Sequence, residues 1–215
     1  MTDYRPPEFP LGVLRVDEDL VFVDKPSGLL SVSGKPAEHW DCVEHRVRLA
    51  FPDALLIHRL DLETSGVMVF ARTAAAQRHV NLQFEKRYVQ KTYIARVAGE
   101  VVDDAGEIDL PLTSDWPRRP MQKVCHETGR QALTRWRVLQ REGSVTRLEL
   151  RPETARPHQS RVHLKEHAHP ILGDPFYAPE DIYQAAPRLQ LHALRLALRH
   201  PSGGEALDVS APCPF

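Results

Sequence analysis

Short apolar runs bounded by turn residues recur along this chain and predict β-strands. They lie at 13–16, 20–24, 54–57, 67–71, 89–99, 134–140, 144–151, 189–200 and 206–210. The runs on either side of residues 141–143 predict a β-hairpin, and Ser202-Gly203-Gly204 predicts the turn into the last strand.

Three other segments have the periodicity or the end signals of helices. They are residues 40–50, residues 74–86 and a stretch within 153–168. Pro52 ends the first, Thr73 is placed to cap the second, and Pro157 suits the first turn of the third. Residues 114–130 are rich in proline and basic residues, and we expect them to be irregular.

Strands and helices are interspersed, and hairpin turns recur between them. This order predicts an α+β fold with a mixed, largely antiparallel central sheet and flanking helices and loops. No internal repeat, low-complexity tract or linker divides the 215 residues, so we expect a single domain over residues 1–215.

The composition narrows the class of protein. Hydrophobic residues make up 42% and charged residues 27%, as in ordinary globular proteins, and the net charge of −1 gives no global signature of nucleic-acid binding. An RNA partner would therefore depend on local clusters of cations. Cys42, Cys125 and Cys213 are odd in number and widely spaced, so we expect a reducing compartment, the cytoplasm. There is no signal-peptide pattern, and no apolar run approaches the roughly 18 residues of a membrane span.

The most informative stretch is the polar segment at residues 58–66, between two predicted strands. Its Thr-Ser-Gly sequence at 64–66 favours a sharp turn, which would leave Asp61 near a strand end at the mouth of the core. A poorly solvated carboxylate needs a cation or donors to stay ionised. Arg156, between a strand end and a helix start, is a candidate partner, because a guanidinium can hold a carboxylate through two hydrogen bonds. A structural ion pair, or surface charges beside a hairpin, would produce the same pattern.

Tyr93 and several clustered cations are further candidates. A strand tyrosine is usually a core residue, but its ring can also cover one face of a planar base while its hydroxyl joins a proton transfer. The clustered cations are Arg72, Arg78, Lys86, Arg87, Lys91 and Arg96 against one acid, Glu85, and then Arg118, Arg119 and Lys123. They would line a phosphate track, or form an ordinary solvated surface.

A metal site is the minor alternative. His163 and His167 fit the H-x-x-E-H pattern, in which two histidines on one helix face ligate zinc in a peptidase. Short matches are common in a chain with 11 histidines, and a zinc enzyme needs a third protein ligand.

Four ordered motifs resemble those of the RluA family of RNA pseudouridine synthases. They are DKPSGL at 24–29, HRLDLETSG at 58–66, KTYIA at 91–95 and RPHQSRVH at 156–163. The similarity covers nearly the whole chain, with HPILGD at 169–174 and LHA at 191–193, and we expect no S4 RNA-binding module before residue 24. The segment DWPRRPMQKVC at 115–125 resembles a member that modifies both a uridine in 23S ribosomal RNA and one in a tRNA anticodon stem-loop.

The resemblance implies the pseudouridine synthase fold and roles for individual residues. Asp61 would be the catalytic aspartate, Tyr93 the active-site tyrosine, and Arg156 the arginine paired with the aspartate. The RNA-binding set would be His58, Arg59, Arg118, Arg119 and Lys123, with Arg59 holding the extruded nucleotide or filling its gap. Ala155 and Pro157 depart from the glycine and the serine or threonine usual in the family.

Pseudouridine formation breaks the C1′–N1 bond and joins C1′ to C5 without net redox change, so we expect neither a cofactor nor a metal. Attack of Asp61 on C1′, proton abstraction at C2′ and addition to the uracil ring all stay open. We expect a monomer whose partner is RNA, with no membrane and no obligate protein partner. The alternative is a catalytically silent RNA-binding protein on the same scaffold.

Overall fold

A computed structural model describes residues 4–34 and 39–215 of the chain. The chain divides into two compact units, Met1–Gln90 with Ala193–Pro214, and Lys91–His192 with Phe215. The single domain over residues 1–215 stays a prediction.

The first unit is built from antiparallel strand pairs around an apolar core. Its elements are β1 (Gly12–Val16), β2 (Leu20–Lys25), α1 (Val43–Ala50), β3 (Leu55–Leu56), β4 (Ser65–Ala71), α2 (Ala74–Glu85), the part of β11 (Leu191–Arg199) from Ala193 onward, and β12 (Ala206–Ser210). β2 pairs with β1 and β4, β3 with β4, and β11 with β12. All seven residues of β4 are buried, as in a strand covered on both faces. α2 places Ala76 and Val80 on this core.

The second unit is also antiparallel. Its elements are β5 (Gln90–Ala98), β6 (Ala105–Asp109), β7 (Leu112–Ser114), β8 (Gln122–Val124), β9 (Leu133–Glu142), β10 (Val145–Pro152), α3 (Gln159–Glu166) and α4 (Glu180–Gln184). The strands follow the order β5-β10-β9-β6, and β7 and β8 form a separate hairpin. Its main core includes Leu148 and Leu150 of β10 and Leu164 of α3.

The α+β class and the largely antiparallel pairing are confirmed, and the errors concern the ends of elements and the short elements. α1 begins at Val43 because Cys42 is its N-cap. α3 begins at Gln159, since His158 has a φ of 53° that cannot extend a helix; Pro157 therefore precedes the helix instead of lying in its first turn. Residues 114–130 are not wholly irregular, because β8 pairs with β7 there. The short helix α4 was not predicted.

Among the described residues, no helix is long and apolar enough to cross a lipid bilayer.

Candidate active site

Asp61 lies in the loop that joins β3 to β4 in the first unit, and it is partly buried. Its carbonyl oxygen accepts a hydrogen bond from the amide of Thr64 at 3.2 Å, which closes a turn just before β4 begins. Gly66 follows with a φ of 116°, and a Cβ at this position would come within 2.2 Å of the Ala193 carbonyl oxygen. Only glycine fits there, so close backbone contact with Ala193 of β11 fixes the start of β4, into which the loop runs.

Lys25, at the end of β2, is the main support of this loop. Its side chain is completely buried, and Nζ donates to the carbonyl oxygens of Pro26, Leu62 and Thr64 at 2.9, 2.8 and 2.7 Å. An ammonium group has three N–H donors, so these bonds use all of them. Because hydrogen bonds from a charged donor are stronger than neutral ones, Lys25 holds both sides of the turn that follows Asp61.

Three residues just after Lys25 hold the remaining carbonyl groups of the loop. The Ser27 hydroxyl donates to Glu63 O at 2.7 Å, and the Gly28 amide donates to Leu62 O at 3.0 Å. The Ser31 hydroxyl donates to Leu60 O and accepts from the Leu60 amide. Every carbonyl from residue 60 to residue 64 therefore accepts a hydrogen bond, and the backbone around Asp61 is firmly held.

His58 and Arg59 precede Asp61 in the same loop but differ in their surroundings. His58 is partly buried, its Nε2 accepts from the Val69 amide at 3.1 Å, and its ring stacks on Phe84 of α2. Arg59 is exposed. An exposed cation two residues from Asp61 suits contact with RNA, whereas the ring of His58 also has a structural task. The RNA-binding roles of both residues stay predictions.

Tyr93 and Arg156 belong to the second unit. Tyr93 lies in β5 opposite Leu150 of β10, and its partly buried ring packs against the main core of that unit. Arg156 lies in the turn between β10 and α3, and its Nε donates to the Gln131 carbonyl at 3.0 Å. Because Nε is used in this way, a carboxylate would be bound through the terminal nitrogens of the guanidinium.

Gln159 holds the turn that carries Arg156. Its buried Oε1 accepts from the Arg156 amide at 3.1 Å and from the Thr154 hydroxyl at 2.7 Å. Its Nε2 donates to the Leu133 carbonyl and to the Thr134 hydroxyl, both at 3.0 Å. The amide of Gln159 thus provides support next to Arg156 in a sequence where position 157 is proline rather than a hydroxyl residue.

The arrangement around His163 argues against a zinc site. His163 is fully buried, with Nε2 3.0 Å from the Leu110 carbonyl and Nδ1 3.0 Å from the Thr134 hydroxyl. A carbonyl only accepts, so Nε2 carries the proton and Nδ1 accepts from Thr134, which leaves neither nitrogen for a metal. Burial lowers the pKa of His163. The described residues include no group of three or more histidine, cysteine or acidic residues able to hold a metal ion.

The predicted RNA-binding cations Arg118, Arg119 and Lys123 come together on the β7–β8 hairpin. Nearly buried Asp115 binds the guanidinium of Arg118 at 2.6 Å and lies 4.0 Å from Nζ of Lys123. Arg119 stacks on the exposed ring of Trp116, 3.1 Å from its centroid. Asp115 neutralises part of the positive charge of Arg118 and Lys123, but it also orients these side chains. Trp116 adds an aromatic surface of the kind on which bases stack.

Tyr177 connects this hairpin to the turn before α3. Its hydroxyl accepts from the Gln122 amide at 2.8 Å and lies 2.6 Å from Nδ1 of His158, to which it can give its proton. Asp174 accepts from the Tyr177 amide and forms a buried bidentate pair with Arg161. The hairpin of cations and the segment carrying Arg156 are therefore parts of one hydrogen-bonded network.

Sequence patterns did not reveal the residues that hold these loops. Lys25, Ser27 and Ser31 were visible only as members of a turn-rich motif, and Gln159 and Tyr177 had no distinguishing local pattern. The one signal that pointed to a buried ammonium is the place of Lys25 at the end of β2, whose first four residues are apolar and buried.

Comparison with known proteins defines the class. The family model described as RNA pseudouridylate synthase matches residues 19–166, and the chain belongs to that family. Two relatives are both named dual-specificity RNA pseudouridine synthase RluA. The one from Escherichia coli (strain K12) is 47% identical over 217 residues, which cover 100% of this chain and 99% of that protein. The one from Vibrio cholerae is 45% identical over 216 residues, covering 100% of this chain and 88% of that protein.

A solved structure agrees. The structure titled human RNA pseudouridylate synthase domain containing 1 superposes with a TM-score of 0.79 at 27% identity, covering 95% of this chain and 84% of that one. The fold and the full-length relatives make this chain an RNA pseudouridine synthase, an enzyme that isomerises uridine within RNA.

Proposed function

We propose that this synthase has two substrates, a loop of 23S ribosomal RNA and a tRNA anticodon stem-loop. Two observations support this proposal: the full-length similarity to proteins named dual-specificity enzymes, and the DWPRRPMQKVC segment on the β7–β8 hairpin. We also propose that the enzyme acts as a monomer in the cytoplasm. In that reducing compartment Cys42, Cys125 and Cys213, which form no disulfide here, would stay reduced.

Asp61 supplies the carboxylate at the junction of sugar and base. The observation that carries this assignment is the loop from residue 60 to residue 64, in which every carbonyl is bound and Asp61 is held near the start of a buried strand. Catalysis that uses a single carboxylate depends on placing it accurately, because small displacements cost large factors in rate. Attack on C1′, proton removal at C2′ and addition to the uracil ring all use this same group.

The target base has to leave its stack before Asp61 can reach the glycosidic bond. Unstacking costs a few kcal/mol and is cheapest in loops, which fits stem-loop substrates. Arg59 holds the displaced nucleotide or fills its gap, while Arg118, Arg119 and Lys123 bind phosphates. His58, in the same loop as Arg59, belongs to this RNA-binding set.

Tyr93 covers one face of the uracil, and its hydroxyl takes part in the proton transfer from C5 to solvent. Arg156 pairs with the Asp61 carboxylate. We expect Arg156→Met to lower kcat by roughly 10²–10³-fold, the usual effect of removing one preorganised charge, with RNA affinity unchanged. Arg156→Lys should recover part of the loss. An Arg156→Met enzyme with normal kcat would contradict this role.

The experiment that tests the proposal is pseudouridine mapping of total RNA from a deletion strain. Complementation with the wild-type chain should restore pseudouridine in both RNA classes, and Asp61→Asn should restore it in neither. Restoration in only one class would reduce the proposal to a single substrate. Restoration by Asp61→Asn would remove Asp61 from the chemistry.

A further inference from the structure

An apolar cavity lies at the C-terminal end of α2, outside the Asp61 loop. It has a volume of about 410 Å³, within the usual range for ligand pockets. Its lining consists of His79, Leu82, Gln83, Tyr88, Arg199 and Gly204. Leu82 is 52% and Tyr88 is 69% exposed, so a large aromatic ring and an aliphatic side chain face solvent together.

The wall of this cavity is rigid. Gln83 is buried, and its amide group holds the backbone of Arg199 from both sides: Nε2 donates to Arg199 O at 2.7 Å, and Oε1 accepts from Arg199 N at 2.8 Å. The Tyr88 amide donates to Gln83 O at 2.8 Å. A preformed apolar cavity binds without the cost of ordering its wall.

Helix α2 ends with a residue in the left-handed conformation that favours glycine, but the residue at this position is Arg87. The Arg87 amide donates to Phe84 O and the Tyr88 amide to Gln83 O, the two bonds of a Schellman ending, and Arg87 has a φ of 61°. A side chain in this left-handed region is strained relative to glycine. Strain of this kind at an exposed arginine beside a cavity points to a task for the side chain.

The positive charge near the cavity indicates what kind of ligand it binds. Lys86 and Arg87 directly follow α2 and are exposed, next to exposed Glu85. Neither cation forms an ion pair with a carboxylate in the described part of the chain. The cations of the β7–β8 hairpin differ, because Asp115 binds two of them. Arg199 lines the cavity, and Lys86 and Arg87 directly precede Tyr88 of its wall. Cations beside an exposed aromatic ring suit a base with flanking phosphates.

We propose that this cavity binds an unpaired base of the RNA substrate, other than the uridine that is modified, by stacking it on Tyr88 while Arg87 and Lys86 bind its phosphates. This inference rests on the proposed function, because it assumes that structured RNA is the substrate. The cavity is connected to the Asp61 loop: Phe84, in the last turn of α2, stacks on His58 with 5.1 Å between ring centroids. His58 is three residues from Asp61, a span of at most about 11 Å. Helix α2 therefore borders both the cavity and the loop that carries Asp61.

The test measures binding of an unmodified tRNA transcript to the full chain carrying Asp61→Asn, so that turnover does not interfere. Adding Tyr88→Ala should weaken binding roughly 10-fold, and Tyr88→Phe, which keeps the ring, should leave it unchanged. Arg87→Gly should weaken binding several-fold and lower the slope of log K against log salt by about 1, yet raise the melting temperature, because glycine relieves the strained φ. With Asp61 intact, Tyr88→Ala should raise KM and leave kcat at saturating RNA unchanged.

Arg87→Gly should weaken RNA binding but raise the melting temperature. These opposite effects distinguish a role in binding from a structural role. Wild-type affinity in both Tyr88→Ala and Arg87→Gly overturns the proposal, and so does capture of an apolar peptide by the cavity without any effect of these variants on RNA. The wild-type enzyme is assayed for pseudouridine in parallel. If it makes none, the proposed function fails; if it makes pseudouridine and the variants bind normally, only the cavity assignment fails.

Discussion

Replacing Lys25 by methionine tests whether the Asp61 loop is held by a buried ammonium. Met has a similar length and fits the apolar part of the site, but it removes all three hydrogen bonds that Nζ donates. Leu62 O would keep its bond from the Gly28 amide, and the bond to the carbonyl oxygen of Pro26 is only partly buried. Thr64 O, which is buried, would lose its bond from Nζ.

The size of the effect follows from these differences. A buried acceptor that loses its partner costs about 1–3 kcal/mol, and each hydrogen bond from a charged donor contributes about 1.5–3 kcal/mol. Removing the ammonium also removes the cost of burying its charge, which offsets part of the loss. We expect a decrease of about 2–3 kcal/mol in the free energy of unfolding, and a fall in kcat of roughly 10²-fold if Asp61 moves by about 1 Å.

Two assays separate stability from positioning. Urea unfolding gives the free energy, and release of the C5 hydrogen from RNA labelled with tritiated uridine gives kcat at a temperature where the variant is folded. Lys165→Met is the matched control, because Lys165 is an exposed residue whose ion pair with Glu166 contributes little. The reasoning is refuted if Lys25→Met keeps the wild-type stability and a kcat within twofold of the wild type.

Two other predictions follow from the second unit. Tyr177→Phe should cost about 1 kcal/mol of stability and weaken RNA affinity several-fold, because the Gln122 amide loses its acceptor; Tyr183→Phe, on exposed α4, is the control, and equal affinities for the two variants would contradict the link. His163 has a folded pKa below its unfolded value because of burial, so its contribution to stability is present above about pH 6.5 and is lost as the pH falls below that value. Urea unfolding from pH 7 to pH 5 should lose up to about 1.4 kcal/mol per pH unit from this group, and His163→Gln should flatten the slope; an unchanged slope would exclude His163 as the titrating group.

The sequence was sufficient to select a candidate site where the information is local. Residues 58–66 combine a catalytic type of side chain, turn residues and flanking apolar runs within nine positions, so Asp61 could be selected before the structure was known. The strands around it were predicted for the same reason, because period and turn chemistry are read over a few residues. Tyr93 and Arg156 were candidates because of their residue types and predicted positions, motif resemblance then added specific roles, and those roles stay predictions.

The supports of the site could not be predicted because they connect distant positions. Lys25 reaches Thr64 across 39 residues, and Tyr177 reaches Gln122 across 55. The zinc alternative was proposed for the same reason. The H-x-x-E-H pattern places His163 and His167 on one helix, but it does not reveal that distant Leu110 and Thr134 form hydrogen bonds with the two ring nitrogens of His163.

The motif at residues 24–29 and the motif at residues 58–66 are best explained as two parts of one structural unit. An enzyme whose reaction has no net redox change gains its rate from the position and charge of a few groups, and a loop of free carbonyls would let those groups move. In this chain the first motif supplies an ammonium, a hydroxyl and an amide, and Ser31 just after it supplies a second hydroxyl. The second motif supplies the carbonyls that accept from them. Substitutions in the first motif should therefore lower kcat while leaving RNA affinity intact, whereas substitutions on the β7–β8 hairpin should do the reverse.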